Sequence, residues 1–150
     1  MTNEVQKVVL TLPASADFVD IVRLNLYGIS TKMGFSYEEI EDMKVAVSEA
    51  CNNSVLYAYG QEDGLVEVTF EMNGDILSII VKDDGESFDN VTLQDECNTL
   101  HNKDLDDVEV GGLGFYLMQA LMDDVIVESK QGYGTKVVLT KRVMRSEEAV

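Results

Sequence analysis

The chain has 150 residues, of which 45% are hydrophobic, and 28 acidic against 11 basic residues give it a formal net charge of -17. This length and composition predict one globular domain, residues 1–150, with a substantial core. The acidity argues against binding to nucleic acid or to an anionic membrane surface, because both depend on Lys and Arg near phosphates.

No segment of the sequence predicts export or membrane insertion. No apolar run approaches the roughly 20 residues that a membrane-spanning helix needs, and the N-terminal segment MTNEVQK lacks the pattern of a signal peptide. Cys51 and Cys97 do not suggest a disulfide framework, and neither lies beside a His or a cluster of bases. We therefore expect a cytoplasmic protein whose thiols are unreactive.

A strand and then a helix are predicted at the start of the chain. Residues 5–12, VQKVVLTL, are rich in β-branched residues and are bounded by Pro13. Ser15 is suited to cap the following helix, and Gly34 is suited to end it.

A second helix is predicted from a capping box, in which Ser36 and Glu39 exchange side-chain and backbone hydrogen bonds. Gly60 is expected to end this helix. Apolar and small residues spaced by three and four predict its core stripe: Ile40, Met43, Val47, Ala50, Ser54 and Ala58.

The middle of the chain predicts a hairpin followed by a long segment without periodicity. Residues 65–72 and 75–82 read as strands joined by a turn at Asn73-Gly74. Residues 84–110 are polar and acidic, and a loop of that length in a compact domain is usually functional or mobile.

The last third predicts a helix and a second hairpin. Residues 111–124, GGLGFYLMQALMDD, open with glycines and become a helix. The hairpin strands cover 125–129 and 136–144, and residues 145–150 read as a frayed tail. Helices and hairpins in this order predict an α+β fold, a two-layer sandwich in which helices cover one face of a mixed, mostly antiparallel sheet.

Glu49 and Asn53 are polar residues four apart on the second helix, on the face roughly opposite the core stripe. Val45, Ala46 and Leu56 flank them, so that the helix is apolar on both sides. This pattern fits the wall of a pocket, but for this pair alone a surface patch with some exposed alkyl groups is the favoured interpretation.

Asp83 stands at the end of an apolar strand in the segment VKDDGESF and is followed by Asp-Gly. A turn alone accounts for this pattern. Alternatively, Asp83 accepts a hydrogen bond from a ligand amine, and Gly85 lets the backbone approach the ligand.

Gly111, Gly112 and Gly114 directly precede the third predicted helix. Such a segment is suited to bind a phosphate, because its amides are free, no β-carbon obstructs the approach and the helix dipole favours negative charge. Alternatively, the glycines form a flexible hinge. The segment is neither a dinucleotide-binding fingerprint nor a Walker motif, because no dinucleotide-type βαβ unit surrounds it and no Lys-Ser/Thr follows.

The fourth motif, GYGT at residues 132–135, lies between two predicted strands. A hairpin turn explains its glycines, and the Thr135 hydroxyl is available to a ligand in addition.

Together and in this order, the four motifs resemble the ATP-binding domain shared by gyrase, heat-shock chaperone ATPases, histidine kinases and mismatch-repair ATPases, the Bergerat or histidine-kinase-like ATPase fold. SEACNN resembles its N box, DDGES its first glycine box, GGLGF its second, and GYGT its terminal Gly-Thr element. Within this superfamily, residues 5–143 resemble the bacterial anti-sigma factor serine kinases of the anti-sigma-B factor type.

This resemblance implies roles for the residues of the N box. Glu49 would be the general base that deprotonates the attacking hydroxyl, and Asn53 would ligate Mg²⁺ beside ATP. Asn52 would support these two residues without contacting the nucleotide or the metal itself.

The resemblance also implies how the nucleotide is held. Asp83, with Gly85 and Thr135, would recognise adenine. The phosphates would meet the glycines of the second box, and residues 86–110 would form a lid.

Two departures from the family pattern concern the nucleotide. Ser87 stands where the first box is expected to have a second glycine, so the approach of the backbone to the nucleotide is expected to differ. The predicted lid contains few bases, His101 and Lys103 being the evident ones, so Mg²⁺ and backbone amides would carry most of the phosphate charge.

The implied function is that of a protein serine/threonine kinase that is also an anti-sigma factor. It would inhibit an alternative sigma factor and phosphorylate an anti-anti-sigma protein, and it would be a homodimer. The alternatives are a nucleotide-gated binding module without turnover, the catalytic half of a histidine kinase, and an interaction domain that binds no nucleotide. Glu49 disfavours the first alternative, and the absence of a preceding helical hairpin with an acceptor His disfavours the second.

Overall fold

The computed structural model describes residues 4–53, 64–83, 110–130 and 134–144. The predicted lid lies outside these residues apart from Val110, as does the predicted tail, and both stay predictions. The described strands and α-helices are β1 (Gln6–Pro13), α1 (Val19–Met33), α2 (Tyr37–Asn53), β2 (Leu65–Asn73), β3 (Ile76–Asp83), α3 (Val110–Leu121), β4 (Asp124–Lys130) and β5 (Gly134–Arg142).

The five strands form one sheet in the order β1-β2-β3-β5-β4. All four pairings are antiparallel, which confirms the prediction of a mostly antiparallel sheet. Side chains alternate between the two faces of a strand, and the inner face of this sheet shares one core with the helices. Val68, Phe70, Ile79 and Leu139 are completely buried in that core.

Helix α1 begins after a short 3-10 turn, Ala16–Phe18. The Ser15 hydroxyl accepts a hydrogen bond from the backbone N–H of Asp17 at 3.4 Å, so the predicted cap serves this turn and not α1 itself. Gly34 ends α1 as predicted, with a φ of 98° that favours glycine.

Helix α2 begins at the predicted capping box. The backbone N–H of Glu39 donates to Ser36 Oγ at 3.1 Å, and the backbone N–H of Ser36 donates to Glu39 Oε1 at 2.9 Å. The predicted core stripe is confirmed where the structure describes it, since Ile40, Met43, Val47 and Ala50 are all at most 4% exposed. Its remaining members, Ser54 and Ala58, and the predicted end of the helix at Gly60 lie outside the described residues.

The β2–β3 hairpin differs by one residue from the prediction. Asn73 pairs with Ile76, so the two-residue loop is Gly74-Asp75 and not Asn73-Gly74. Gly74 has a φ of 60°, and no non-glycine residue in the described segments has a positive φ. A positive φ at the first loop position alone is the pattern of a type II′ turn, which places glycine first and leaves Asn73 in the strand.

No helix within the described segments is long and apolar enough to cross a membrane.

Candidate functional site

Glu49 and Asn53 lie one turn apart near the described end of α2, and both are partly buried. Val47 and Ala50, which are completely buried, fix the rotation of the helix against the core. Glu49 and Asn53 therefore face α3, which packs against α2. The predicted apolar flanks are confirmed only in part, because Ala46 is buried but Val45 is 46% exposed, and Leu56 lies outside the described residues.

The backbone of Gly114 in α3 lies close to both of these side chains. A β-carbon at Gly114 would lie 2.8 Å from Glu49 Oε2, a separation that real β-carbons essentially never show. The same β-carbon would lie 3.6 Å from Asn53 Nδ2 and 3.7 Å from Asn53 Oδ1. A carboxylate, an amide and the bare backbone of a second helix thus converge, and only glycine at position 114 leaves the carboxylate where it is.

The glycines of the third motif lie inside α3, whereas the sequence predicted them as a loop before it. Gly111, Gly112 and Gly114 belong to the first two turns of the helix, which begins at Val110. Glycine is a poor helix former, but the burial of Phe115 and Met118 in the core outweighs that preference. The first four N–H groups of a helix have no partner within it and carry the positive end of its dipole, so the amides around Gly111 and Gly112 are suited to an anion.

Asp83 and Thr135 form a second group of predicted site residues, at one end of the inner sheet face. Asp83 is the last residue of β3 and is 2% exposed, and Thr135 is directly opposite it in β5 and is 6% exposed. The backbone N–H of Thr135 donates to Asp83 Oδ1 at 3.4 Å. Thr135 is therefore a strand residue and not part of the turn, while Gly85 lies outside the described residues.

Helix α2 connects the two groups, because it contacts β3 and β5 as well as α3. The structure thus places Glu49, Asn53 and Gly114 in contact at one junction, and Asp83 and Thr135 in contact at another.

Ser48 and Arg23 form a contact beside the site that sequence reasoning missed. Ser48 directly precedes Glu49 and is 9% exposed. Arg23 Nη1 of α1 donates to Ser48 Oγ at 3.2 Å, and Ser48 Oγ donates to the backbone carbonyl of Lys44 at 2.6 Å. Asp20 pairs with the same guanidinium. The contact ties α1 to α2 next to Glu49, and no local pattern signals a bond between residues 25 positions apart.

Cys51 lies on α2 and is 4% exposed. Burial raises the pKa of its thiol to about 12, and the charge of Arg23 opposes this only partly. The thiol is therefore protonated near neutral pH, in agreement with the prediction that it is unreactive. Cys97 lies outside the described residues.

Comparison with protein families gives a match to the histidine kinase-like ATPase domain over residues 12–141. Among curated proteins, the chain is 43% identical over 143 residues to the serine-protein kinase RsbW of Bacillus velezensis, covering 94% of this chain and 88% of that protein. It is 44% identical over 151 residues to the RsbW of Bacillus pumilus, with 97% and 91% covered. It is 41% identical over 143 residues to the RsbW of Bacillus subtilis, with 94% and 88% covered.

Solved structures also share the fold, among them the following two. The RsbU and RsbW domains of Rv1364c from Mycobacterium tuberculosis match with a TM-score of 0.66 and 23% identity, over 93% of this chain and 33% of that one. The histidine kinase domain of a blue-light activated kinase from Erythrobacter litoralis matches with a TM-score of 0.53 and 18% identity, over 88% and 62% of the two chains. These likenesses agree with the predicted histidine-kinase-like fold.

Proposed function

The chain belongs to the histidine kinase-like ATPase domain family and, within it, to the RsbW serine-protein kinases, and from that premise we propose that it is a protein serine/threonine kinase and an anti-sigma factor. It uses Mg-ATP to phosphorylate an anti-anti-sigma protein, and in another state it binds and inhibits an alternative sigma factor, in the cytoplasm. The observation that carries the enzymatic part is the convergence of Glu49, Asn53 and Gly114 at the junction of α2 and α3.

Glu49 is the proposed general base. Its carboxylate accepts the proton of the substrate Ser or Thr hydroxyl as the hydroxyl oxygen attacks the γ-phosphorus, and ADP leaves with the electrons of the broken P–O bond. The support for this role is a partly buried carboxylate against the start of α3, whose amides suit the phosphates. The proposed contacts to those phosphates are the backbone amides of Gly111 and Gly112, which lie among the first four N–H groups of α3. Gly114 is the fifth residue of the helix, and its proposed role in the nucleotide site is to leave room for the Glu49 carboxylate beside the phosphates.

Asn53 is the proposed protein ligand of Mg²⁺. Its amide oxygen is the kind of ligand that Mg²⁺ accepts, and Mg²⁺ is commonly held by one or two protein oxygens, with phosphates and water completing the shell. Bound there, the ion would neutralise charge on the β- and γ-phosphates. The position of Asn53 one turn beyond Glu49, on the same side of α2, fits this donor set.

Asp83 is the proposed reader of adenine, with Gly85 and Thr135 beside it. A buried carboxylate at the end of a strand is suited to accept a hydrogen bond from the exocyclic amine of adenine, which guanine replaces with a carbonyl. Thr135 already donates its backbone N–H to one carboxylate oxygen and so holds the group in place.

The kinase proposal is tested by mixing the protein with γ-labelled Mg-ATP and the candidate antagonist from the same organism. We expect phosphoserine or phosphothreonine on the antagonist. If the protein binds nucleotide but transfers no phosphate after long incubation, the kinase hypothesis is wrong. The protein would then be a nucleotide-gated binding module. No thermal shift with Mg-ATP would contradict nucleotide binding altogether, because a ligand of the native state must stabilise it.

Asn53→Ala is expected to weaken ATP binding about tenfold in Mg²⁺ and to leave binding in EDTA unchanged, because it removes one oxygen from the metal and nothing from the nucleotide. Isothermal titration with and without Mg²⁺ measures both values. Asn25→Ala is the matched control, since Asn25 is also a partly buried helical amide but lies on α1, where its side chain donates to the backbone carbonyl of Ile21. Equal losses in Mg²⁺ and in EDTA would contradict the assignment of Asn53 as a metal ligand.

Asp83→Asn is expected to reduce the preference for ATP over GTP by about tenfold to a hundredfold, because a hydrogen bond to a charged acceptor contributes about 1.5–3 kcal/mol. Asn retains an oxygen for the N–H of Thr135, so the fold is expected to remain intact. Competition binding with both nucleotides measures the preference. An undiminished preference for ATP would show that another group reads the base.

We also propose that the protein is a homodimer, as its family resemblance implies. Sedimentation of the purified protein measures this directly.

A further inference from the structure

Two neighbouring residues of α2 contact two different helices. Ser48 contacts α1, with 3.2 Å between its Oγ and Arg23 Nη1. Glu49 contacts α3, where a β-carbon added at Gly114 would lie 2.8 Å from Glu49 Oε2. Successive residues of a helix point about 100° apart, so a single turn of α2 is held by α1 on one side and fitted against α3 on the other. The position of Glu49 against α3 is therefore linked to the contact that α1 makes.

The Ser48 hydroxyl both accepts and donates a hydrogen bond. It has one proton and two lone pairs; it accepts from Arg23, and it donates its proton to the backbone carbonyl of Lys44 at 2.6 Å. A serine that bonds to the carbonyl four residues earlier often bends the helix. This bond lies in the turn directly before Glu49, so the path of α2 at Glu49 depends on where the hydroxyl proton points. Because Arg23 occupies one side of the oxygen with a donor, the proton is directed to Lys44.

The guanidinium of Arg23 is itself held in place. Its second terminal nitrogen, Nη2, pairs with Asp20 three residues earlier on α1. Its positive charge also acts on the buried thiol of Cys51, three residues beyond Ser48, where it opposes the rise in pKa that burial causes. Arg23 thus lies along the side of α2 from Ser48 to Cys51. The planar guanidinium fixes the directions of its bonds relative to one another, which a lysine does not do.

We propose that Arg23 is a positioning residue for phosphoryl transfer: through Ser48 it fixes the turn of α2 that presents Glu49 to the nucleotide. The contacts of Arg23 are with Ser48 and Asp20, on the side of α2 that packs on α1. Its effect on the chemistry therefore passes through Glu49. Misplacing a reacting group by about 1 Å lowers the rate about a hundredfold, so a smaller shift of Glu49 is also measurable. This inference rests on the proposed kinase with Glu49 as its base.

General packing of α1 on α2 is the alternative explanation of the contact, and Lys44 offers a matched control. Its amino group lies 5.5 Å from the ring centre of Tyr27 on α1 and so also links the two helices. Lys44→Met removes this link and one basic group. It leaves the Ser48 hydroxyl and both of its partners, because the acceptor at residue 44 is a backbone carbonyl.

The first test compares Arg23→Met, Ser48→Ala and the double variant in single-turnover transfer of γ-labelled phosphate to the antagonist at saturating ATP. Each single change is expected to slow transfer about tenfold and to leave ATP affinity within about threefold of the wild type. The double variant is expected to be no slower than the single variants, because the two residues act as one unit. Lys44→Met is expected to stay within about twofold of the wild-type rate. Circular dichroism shows that each variant is folded.

The second test repeats Arg23→Met in the Glu49→Gln background, which distinguishes positioning from a general structural role. Without the carboxylate there is no base to position, so the added change is expected to slow the remaining transfer by less than about twofold. A tenfold loss in this background as well would show that Arg23 acts through another part of the site, and would overturn the inference.

The other outcomes separate this inference from the proposed function. Wild-type rates in Arg23→Met and Ser48→Ala, or an equal loss in Lys44→Met, overturn the positioning role and leave the kinase standing. A wild-type protein that binds ATP and transfers no phosphate overturns the kinase and, with it, the role of Arg23.

Discussion

Gly114→Ala is expected to reduce phosphoryl transfer about a hundredfold or more, because misplacing a reacting group by about 1 Å has that effect. The added methyl would lie 2.8 Å from Glu49 Oε2, so the carboxylate must move. The move costs the fold little, since the obstructed atom is the end of a flexible side chain and alanine favours the helix. Single-turnover kinetics with saturating ATP measure the loss, and thermal unfolding measures the stability.

Gly28→Ala is the matched control. Gly28 also lies inside a helix, α1, but a β-carbon there would meet nothing within 4 Å. This variant is expected to be more stable by about 0.5–1 kcal/mol and to transfer phosphate at the wild-type rate. A wild-type rate in Gly114→Ala as well would show that the position of the Glu49 carboxylate does not matter for the chemistry.

Glu49→Gln is expected to lower phosphoryl transfer by about 10²–10⁴-fold, the range associated with a positioned general base. The change keeps the shape of the side chain, so the affinity for ATP is expected to stay within about threefold of the wild type. Transfer to the antagonist and binding of a fluorescent ATP analogue measure the two effects.

The control for this change is Glu38→Gln, which neutralises an exposed carboxylate in the first turn of the same helix. It is expected to lower stability by a few tenths of a kcal/mol through the helix dipole and to leave transfer intact. If Glu49→Gln phosphorylated the antagonist as fast as the wild type, another group would have to be the base.

Features that depend on neighbouring residues could be predicted from the sequence. The capping box of Ser36 and Glu39 and the end of α1 at Gly34 are local, because the groups that form them lie within a few residues. The core stripe of α2 follows from helical periodicity alone. The hairpin was predicted, but its loop was wrong by one residue, because the turn type and not the Asn-Gly pair set the register.

Features set by packing could not be predicted in the same way. The sequence motifs predicted Glu49, Asn53 and Gly114 as site residues. The contact between these residues depends on how α3 packs against α2, which the motifs do not determine. The glycines of α3 were expected in a loop because glycine disfavours helices, and tertiary burial of Phe115 and Met118 overrides that tendency. The bond from Arg23 to Ser48 joins two helices and has no local signature.

A crystal structure with Mg²⁺ and a non-hydrolysable ATP analogue tests the central claim most directly. We expect the Asn53 side-chain oxygen at about 2.1 Å from the metal, the Glu49 carboxylate turned toward the γ-phosphate, and adenine against Asp83. A nucleotide bound elsewhere, with Glu49 and Asn53 turned to bulk water, would contradict the account.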